Sequence, residues 1–498
     1  MENINSLHIP NPSIYEINTR VWIRRFDTPE KKAKLDDVPD SYWDMLKDKG
    51  IDYVWLMGVW RINAEAVKKY CFEEGLISEY ERSLKDWQDE DVIGSPYAID
   101  RYDINPALGN DESIAKIRKA LHKRNMKLFL DFVPNHFHAE TCLINIVPDI
   151  FLVANEETYK RDPHTFYKPF NDEKIFAHGR DPFFPAWQDT VQINYFSPVA
   201  REFMINTLSK IAGMCDGVRC DMSILVLNNV FQNTWGGALE KSGHNKPETE
   251  FWHDAVRAIK NDFPNFIFLA EAYWDLESHL QQLGFDFTYD KKLTDRMAVN
   301  HIKGIQEHLQ GDVDYNKKCA RFIENHDEKR SFTLFGKERV KAAAVIISTL
   351  PGMHFYYDGQ FEGKKIKLPV QLGREPVEPV NVCIQKNYDR LLNITKQDIF
   401  KHGEWRLIET EKSWYNNDTY LNLLSWEWQY KNERRLVFIN YSDQPSSCRV
   451  KLDLTGYPDE ITFNDIFQEQ SYQRNAEEIH TQGLYIELKP YHSHIFVY

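Results

Sequence analysis

Four acidic residues, Asp131, Asp221, Glu271 and Asp327, each stand at or just beyond the end of a short apolar run. Two neighbouring carboxylates suggest glycoside chemistry. One attacks the anomeric carbon of a sugar, and the other, with a raised pKa, protonates the leaving oxygen. A third acid and nearby histidines, here His136 and His326, can hold ring hydroxyls while an oxocarbenium-like state forms. The stretch GVRCDMSIL (217–225) is the most informative. In a strand Arg219 and Asp221 point to one face, and Val218, Cys220 and Met222 to the other. Buried opposite charges stabilise a core weakly. Their presence on an apolar strand therefore points to a site. Arg219 is expected to keep Asp221 ionised and oriented.

The acids need a frame that brings distant parts of the chain together. Eight β-rich runs begin near Ser13, Ile51, Met126, Gly217, Asn265, Gly284, Arg321 and Gly352. Helical patterns separate most of them, including Asp40–Gly50, Glu112–Asn125 and Pro198–Gly213. Alternating strands and helices predict a parallel sheet, and eight of them predict an α/β chain closed into a (β/α)8 TIM barrel. Chemistry in such barrels sits at the C-terminal ends of the strands, where all four acids fall. Two breaks in the rhythm set the expected domains. Residues 1–136 carry strands one to three, 137–195 form a long loop rich in Pro, Asp and aromatics, and 196–400 carry strands four to eight. Residues 401–498 read as short alternating strands, expected to form an antiparallel β-sandwich.

The bulk composition narrows the classes. The chain has 498 residues, 42% of them hydrophobic, enough for one large domain and a smaller one. Its net charge of -14 lacks the basic patch of a nucleic-acid binder. No apolar run approaches the ~18 residues of a membrane span. The start, MENINSLHIPNPSIYEINTR, has neither a basic head nor an apolar stretch, so no signal peptide is expected. Seven cysteines with no CxxC spacing are simplest to place in a reducing cytoplasm. No feature sets an oligomeric state.

Four motifs, in order, carry a resemblance: DFVPNH (131–136), GVRCD (217–221), FLAEAYW (268–274) and FIENHD (322–327). With them the chain resembles the α-amylase family of retaining glycoside hydrolases, glycoside hydrolase family 13. The segment GSPYAIDRYDINPALG (94–109) is similar to that family's substrate-site tyrosine segment. The resemblance implies that Asp221 is the nucleophile, Glu271 the general acid/base and Asp327 the transition-state stabiliser. It implies that His136 and His326 bind ring hydroxyls and that Tyr97 stacks on the sugar at the cleavage point, with Arg219 in the substrate-binding set. The loop of 137–195 corresponds to the family's domain B. The implied partner is an α-glucan or short α-gluco-oligosaccharide, with no nucleic acid and no membrane.

The chain departs from many relatives where a Lys-His pair follows the nucleophile. Here Met222, Ser223, Ile224 and Leu225 follow instead. That pair helps bind the sugar beyond the cleaved bond and helps hold calcium. No cofactor is expected to be required, and calcium is left with one candidate ligand, Asn135. Trp187, Phe184, Tyr273 and Trp274 are candidates to stack on sugars or simply to pack. Hydrolase is the leading reading. A family transglycosylase, isomerase or phosphorylase, trehalose-synthase-like or sucrose-phosphorylase-like, is the alternative, and a non-catalytic carbohydrate-binding relative comes after it.

Overall fold

Residues 9–169 and 174–498 are described by a computed structural model. The opening residues 1–8, which carry much of the reading against a signal peptide, lie outside the described residues, as do 170–173 within the long loop.

Eight parallel strands close into a barrel. They are β1 (Ser13–Asn18), β2 (Tyr53–Met57), β3 (Lys127–Phe132), β4 (Gly217–Cys220), β5 (Ile267–Ala270), β6 (Phe287–Tyr289), β7 (Cys319–Arg321) and β8 (Met353–Tyr357). Neighbours in sequence pair in order, and β8 returns to β1 with Ser13 opposite His354. The strands read as apolar runs because both faces are buried. One face fills the barrel with Ile14, Trp55, Phe129, Leu269, Tyr289 and Phe355. The other packs on helices, among them α1 (Asp40–Asp48), α2 (Asp111–His122), α3 (Pro198–Met214), α4 (Phe251–Asp262), α5 (Arg339–Thr349) and α6 (Val382–Thr395). Capping places the start of α3: the Ser197 hydroxyl accepts from the Ala200 amide at 3.4 Å, and Pro198 opens the first turn.

The seventh strand differs from expectation. The run expected to begin at Arg321 ends there, and Phe322–Asp327 forms the loop beyond it. Two excursions leave the barrel. The one after β3 holds an antiparallel pair, His136–His138 with Thr190–Gln192, and a three-stranded sheet of Val153–Ala154, Ile175–Ala177 and Phe166–Tyr167. The other was not foreseen. Between β2 and α2, Trp60–Ile62 pairs with Ile99–Ile104, and this holds the segment that carries Tyr97.

The C-terminal part is antiparallel throughout. A six-stranded sheet runs in the order Glu404–Leu407, Leu423–Tyr430, Glu433–Asn440, Ser493–Val497, Glu460–Asp465 and Gln470–Asn475. Ser446–Val450 and Leu484–Leu488 form a second sheet. One set of buried residues, including Leu436, Phe438, Cys448 and Ile486, is this part's own core. Another set, Trp405, Trp426, Trp428 and Ile439, is continuous with the packing around the barrel. The Trp428 indole N–H donates to the Thr349 carbonyl of α5 at 2.7 Å.

Candidate active site

The strand pleat produces the alternation expected of GVRCD. Val218 and Cys220 are fully buried against the helices. Arg219 is fully buried inside the barrel, opposite Asp131 of β3 and Leu269 of β5. Its guanidinium lies 5.3 Å from the rings of Trp55 and Tyr97 and 5.7 Å from Tyr289. Electron-rich faces thus surround a cation held out of water.

Arg219 joins the two leading carboxylates. Its Nη1 donates to Asp221 Oδ1 at 2.6 Å, and its Nη2 lies 2.8 Å from Glu271 Oε2. The second contact is a close electrostatic approach and not a hydrogen bond. Glu271 has two other donors. The Met222 amide reaches Oε2 at 2.6 Å and the Tyr273 hydroxyl reaches Oε1 at 2.7 Å. Met222 adopts a left-handed backbone with φ of 40°, which turns the chain directly after Asp221 and aims that amide.

Burial raises the Glu271 carboxyl to about 7, with Asp221 and Asp327 adding to the effect and Arg219 opposing it. Burial also pushes Asp221 upward, against the Arg219 charge and hydrogen bond. The directed bond from Arg219 favours Asp221 as the carboxyl that ionises first. A carboxyl raised to about 7 beside one hydrogen-bonded to a guanidinium is the pairing that acid-assisted displacement requires.

Asp327 and His326 complete the mouth. His326 Nδ1 meets Glu16 Oε1 at 2.5 Å, while Nε2 faces Asp327 Oδ2 at 3.0 Å and the Tyr97 hydroxyl at 2.8 Å. Burial opposes charge on this imidazole, but Asp327 and Glu16 raise it to about 10. It is therefore an imidazolium at neutral pH. Burial acts against ionisation of Asp327 as well, and the His326 charge pulls its carboxyl well below the usual range. The Asp327 side chain is 48% exposed, so solvent screens part of that pull.

Not every expected residue takes an expected position. Asp131 converges with the other three acids but lies beneath the mouth, 1% exposed. Its carboxylate is used up by the Trp55 indole at 3.1 Å and the Gly58 amide at 2.8 Å. His136 is held neutral by burial, which lowers it to about 4, and its ring packs against Trp187. Asn135 does not fit a calcium centre. Its Oδ1 and its carbonyl both accept from the Gln192 amide, at 3.0 and 2.9 Å. Among the described residues no group of three or more His, Cys, Asp or Glu could hold a metal. Ile224 and Leu225 are buried in a 3-10 turn, so they pack in the core and do not line the acceptor side.

Sequence reasoning missed Glu16, Trp55 and Tyr289. Glu16 had a signal, a lone acid on an apolar strand, but no motif around it. Tyr273 was a candidate for stacking, yet its hydroxyl is engaged by Glu271. Phe183 and Trp274 meet edge to face at 5.0 Å, joining the long excursion to the loop after β5.

The family described as Alpha amylase, catalytic domain, matches residues 41–385. Alpha-amylase 3 of Dictyoglomus thermophilum is 24% identical over 300 residues, 56% of this chain and 55% of that protein, so the chain spans about half the length of that relative. The 4-alpha-glucanotransferase of Thermotoga maritima is 23% identical over 378 residues, 70% of this chain and 72% of that protein. The solved structure of maltogenic alpha-amylase AmyB from Thermotoga neapolitana superposes with a TM-score of 0.68 at 20% identity, covering 99% of each chain, and shares the fold.

Proposed function

The chain belongs to the α-amylase family, and from that premise we propose that it cleaves α-glucosidic bonds of α-glucans or short α-gluco-oligosaccharides by double displacement. The observation that carries the reading is the single guanidinium of Arg219 in contact with both Asp221 and Glu271. Asp221 attacks the anomeric carbon, and the C–O bond to the leaving sugar breaks as Glu271 donates its proton to that oxygen. Glu271, now ionised, takes a proton from water. The water oxygen then displaces Asp221 from the anomeric carbon. Asp327 is the anion that stabilises the developing positive charge of the ring, and His326 and His136 hold its hydroxyls.

Similarity to a 4-alpha-glucanotransferase supports a second reading, in which a sugar hydroxyl replaces water in the second step. Seven unpaired cysteines support a cytoplasmic setting. Proton NMR of freshly released product tests the mechanism. The α-anomer is expected first, and initial release of the β-anomer would rule out double displacement.

A further inference from the structure

The acid/base carboxyl is held unevenly. Its Oε2 faces both the Met222 amide and the Arg219 cation, which concentrate negative charge there. Its Oε1 faces neither, so the exchangeable proton belongs on Oε1. The group that the fold sets against that oxygen is the Tyr273 hydroxyl, at 2.7 Å.

The backbone explains how a residue two positions away can reach it. Residues i and i+2 of an extended segment share a face. Immediately afterwards Trp274 and Asp275 both take left-handed conformations, with φ of 64° and 62°. Two consecutive non-glycine residues in that region are costly and persist only where surroundings hold them. Here Asp275 is paired with Lys292, Trp274 packs against Phe183, and the Leu276 amide bonds the Tyr273 carbonyl at 3.2 Å. This turn lies in the loop beyond β5 and keeps Tyr273 against Glu271.

Resting on the assignment of Glu271 as acid/base, we propose that Tyr273 is the positioning residue of the catalytic proton, holding Oε1 of Glu271 and setting the pH at which that proton is lost. A phenol donates to a carboxylate far better than it accepts from a carboxylic acid. Tyr273 therefore favours ionised Glu271, the form needed to take the proton of water in the second step. The phenol keeps its own proton throughout. Burial and the Glu271 charge hold it well above the usual phenol range. The other groups around Glu271 are Arg219 and Asp221 from β4, Tyr289 from β6, and Asp327 with its partner His326 beyond β7. Among the described residues none of these groups hydrogen-bonds Oε1.

The sign of the effect follows. In the first step Glu271 must be protonated, so kcat/KM is full below its pKa and falls as pH rises through it. Removing a hydrogen bond that favours the ionised form raises that pKa. Tyr273→Phe should shift the alkaline limb of kcat/KM on maltotriose from near pH 7 upward by about one pH unit or more. Tyr273→Leu, which also lacks the hydroxyl, should shift it in the same direction. α-Glucosyl fluoride needs no leaving-group proton, so its kcat/KM should show no such limb in any of the three proteins. A limb on maltotriose that stays in place in both folded variants overturns the role of Tyr273. Glu271→Gln separates the premise: it should impair maltotriose far more than the fluoride. Equal loss on both substrates would instead overturn the acid/base assignment itself.

Discussion

At the scale of single residues, the site depends on holding Asp221 and Glu271 within reach of one guanidinium, with the directed hydrogen bond on Asp221. Asp221→Asn keeps the shape and removes the nucleophile. We expect turnover to fall by several powers of ten in a variant that still folds. Near-normal kcat in the folded variant would remove Asp221 from the mechanism. Asp221, Glu271, Asp327, Arg219, His326 and Tyr97 were all legible, because each sits in a motif or beside one. Glu16 and Trp55 were not. A buried glutamate that holds an imidazolium at 2.5 Å is recognisable only once β1 and the loop after β7 are side by side.

At the scale of elements, the barrel positions these groups by packing strands closely enough that small residues are required. Gly217 opens β4, and a Cβ there would stand 2.6 Å from the Phe129 ring and 2.7 Å from the Ile267 carbonyl. Gly217→Ala should therefore destabilise the protein by about 1–3 kcal/mol, as overpacking does. It should also lower activity, because Arg219 and Asp221 lie on the same short strand. A urea midpoint equal to that of the parent protein would show that the neighbouring strands yield. The misplacement of the seventh strand has a simple cause. Cys319–Arg321 is only three residues long, and the apolar Phe322 and Ile323 that follow continue its pattern into the loop.

At the scale of the whole molecule, the excursion after β3 and the loop after β5 meet through Phe183 and Trp274, the latter three residues beyond Glu271. A long polymer chain needs an open groove. We therefore expect a higher kcat/KM on maltose through maltoheptaose than on soluble starch. Because the Asn135 oxygens are spent on Gln192, chelation should change little. Clear preference for starch together with loss of activity in chelator would reverse both expectations. The buried tryptophans Trp405, Trp426 and Trp428 place the C-terminal sheet in the same packing as the barrel helices. A linear reading of the tail as a separate sandwich does not reveal this.

By itself the sequence determined the barrel, the antiparallel tail and the order of the acids. These follow from local periodicity, from turn residues and from short motifs, all of which survive in one dimension. Tertiary structure alone decided which acids line the mouth and which brace it. Asp131 and Asp221 look alike in sequence, each at the end of an apolar run. Only strand pairing shows that Asp131 spends its oxygens on Trp55 and Gly58 while Asp221 meets Arg219. The charge states of Glu271 and His326 were decided in the same way. They come from burial and from partners drawn from different strands, and both are properties of three-dimensional distance.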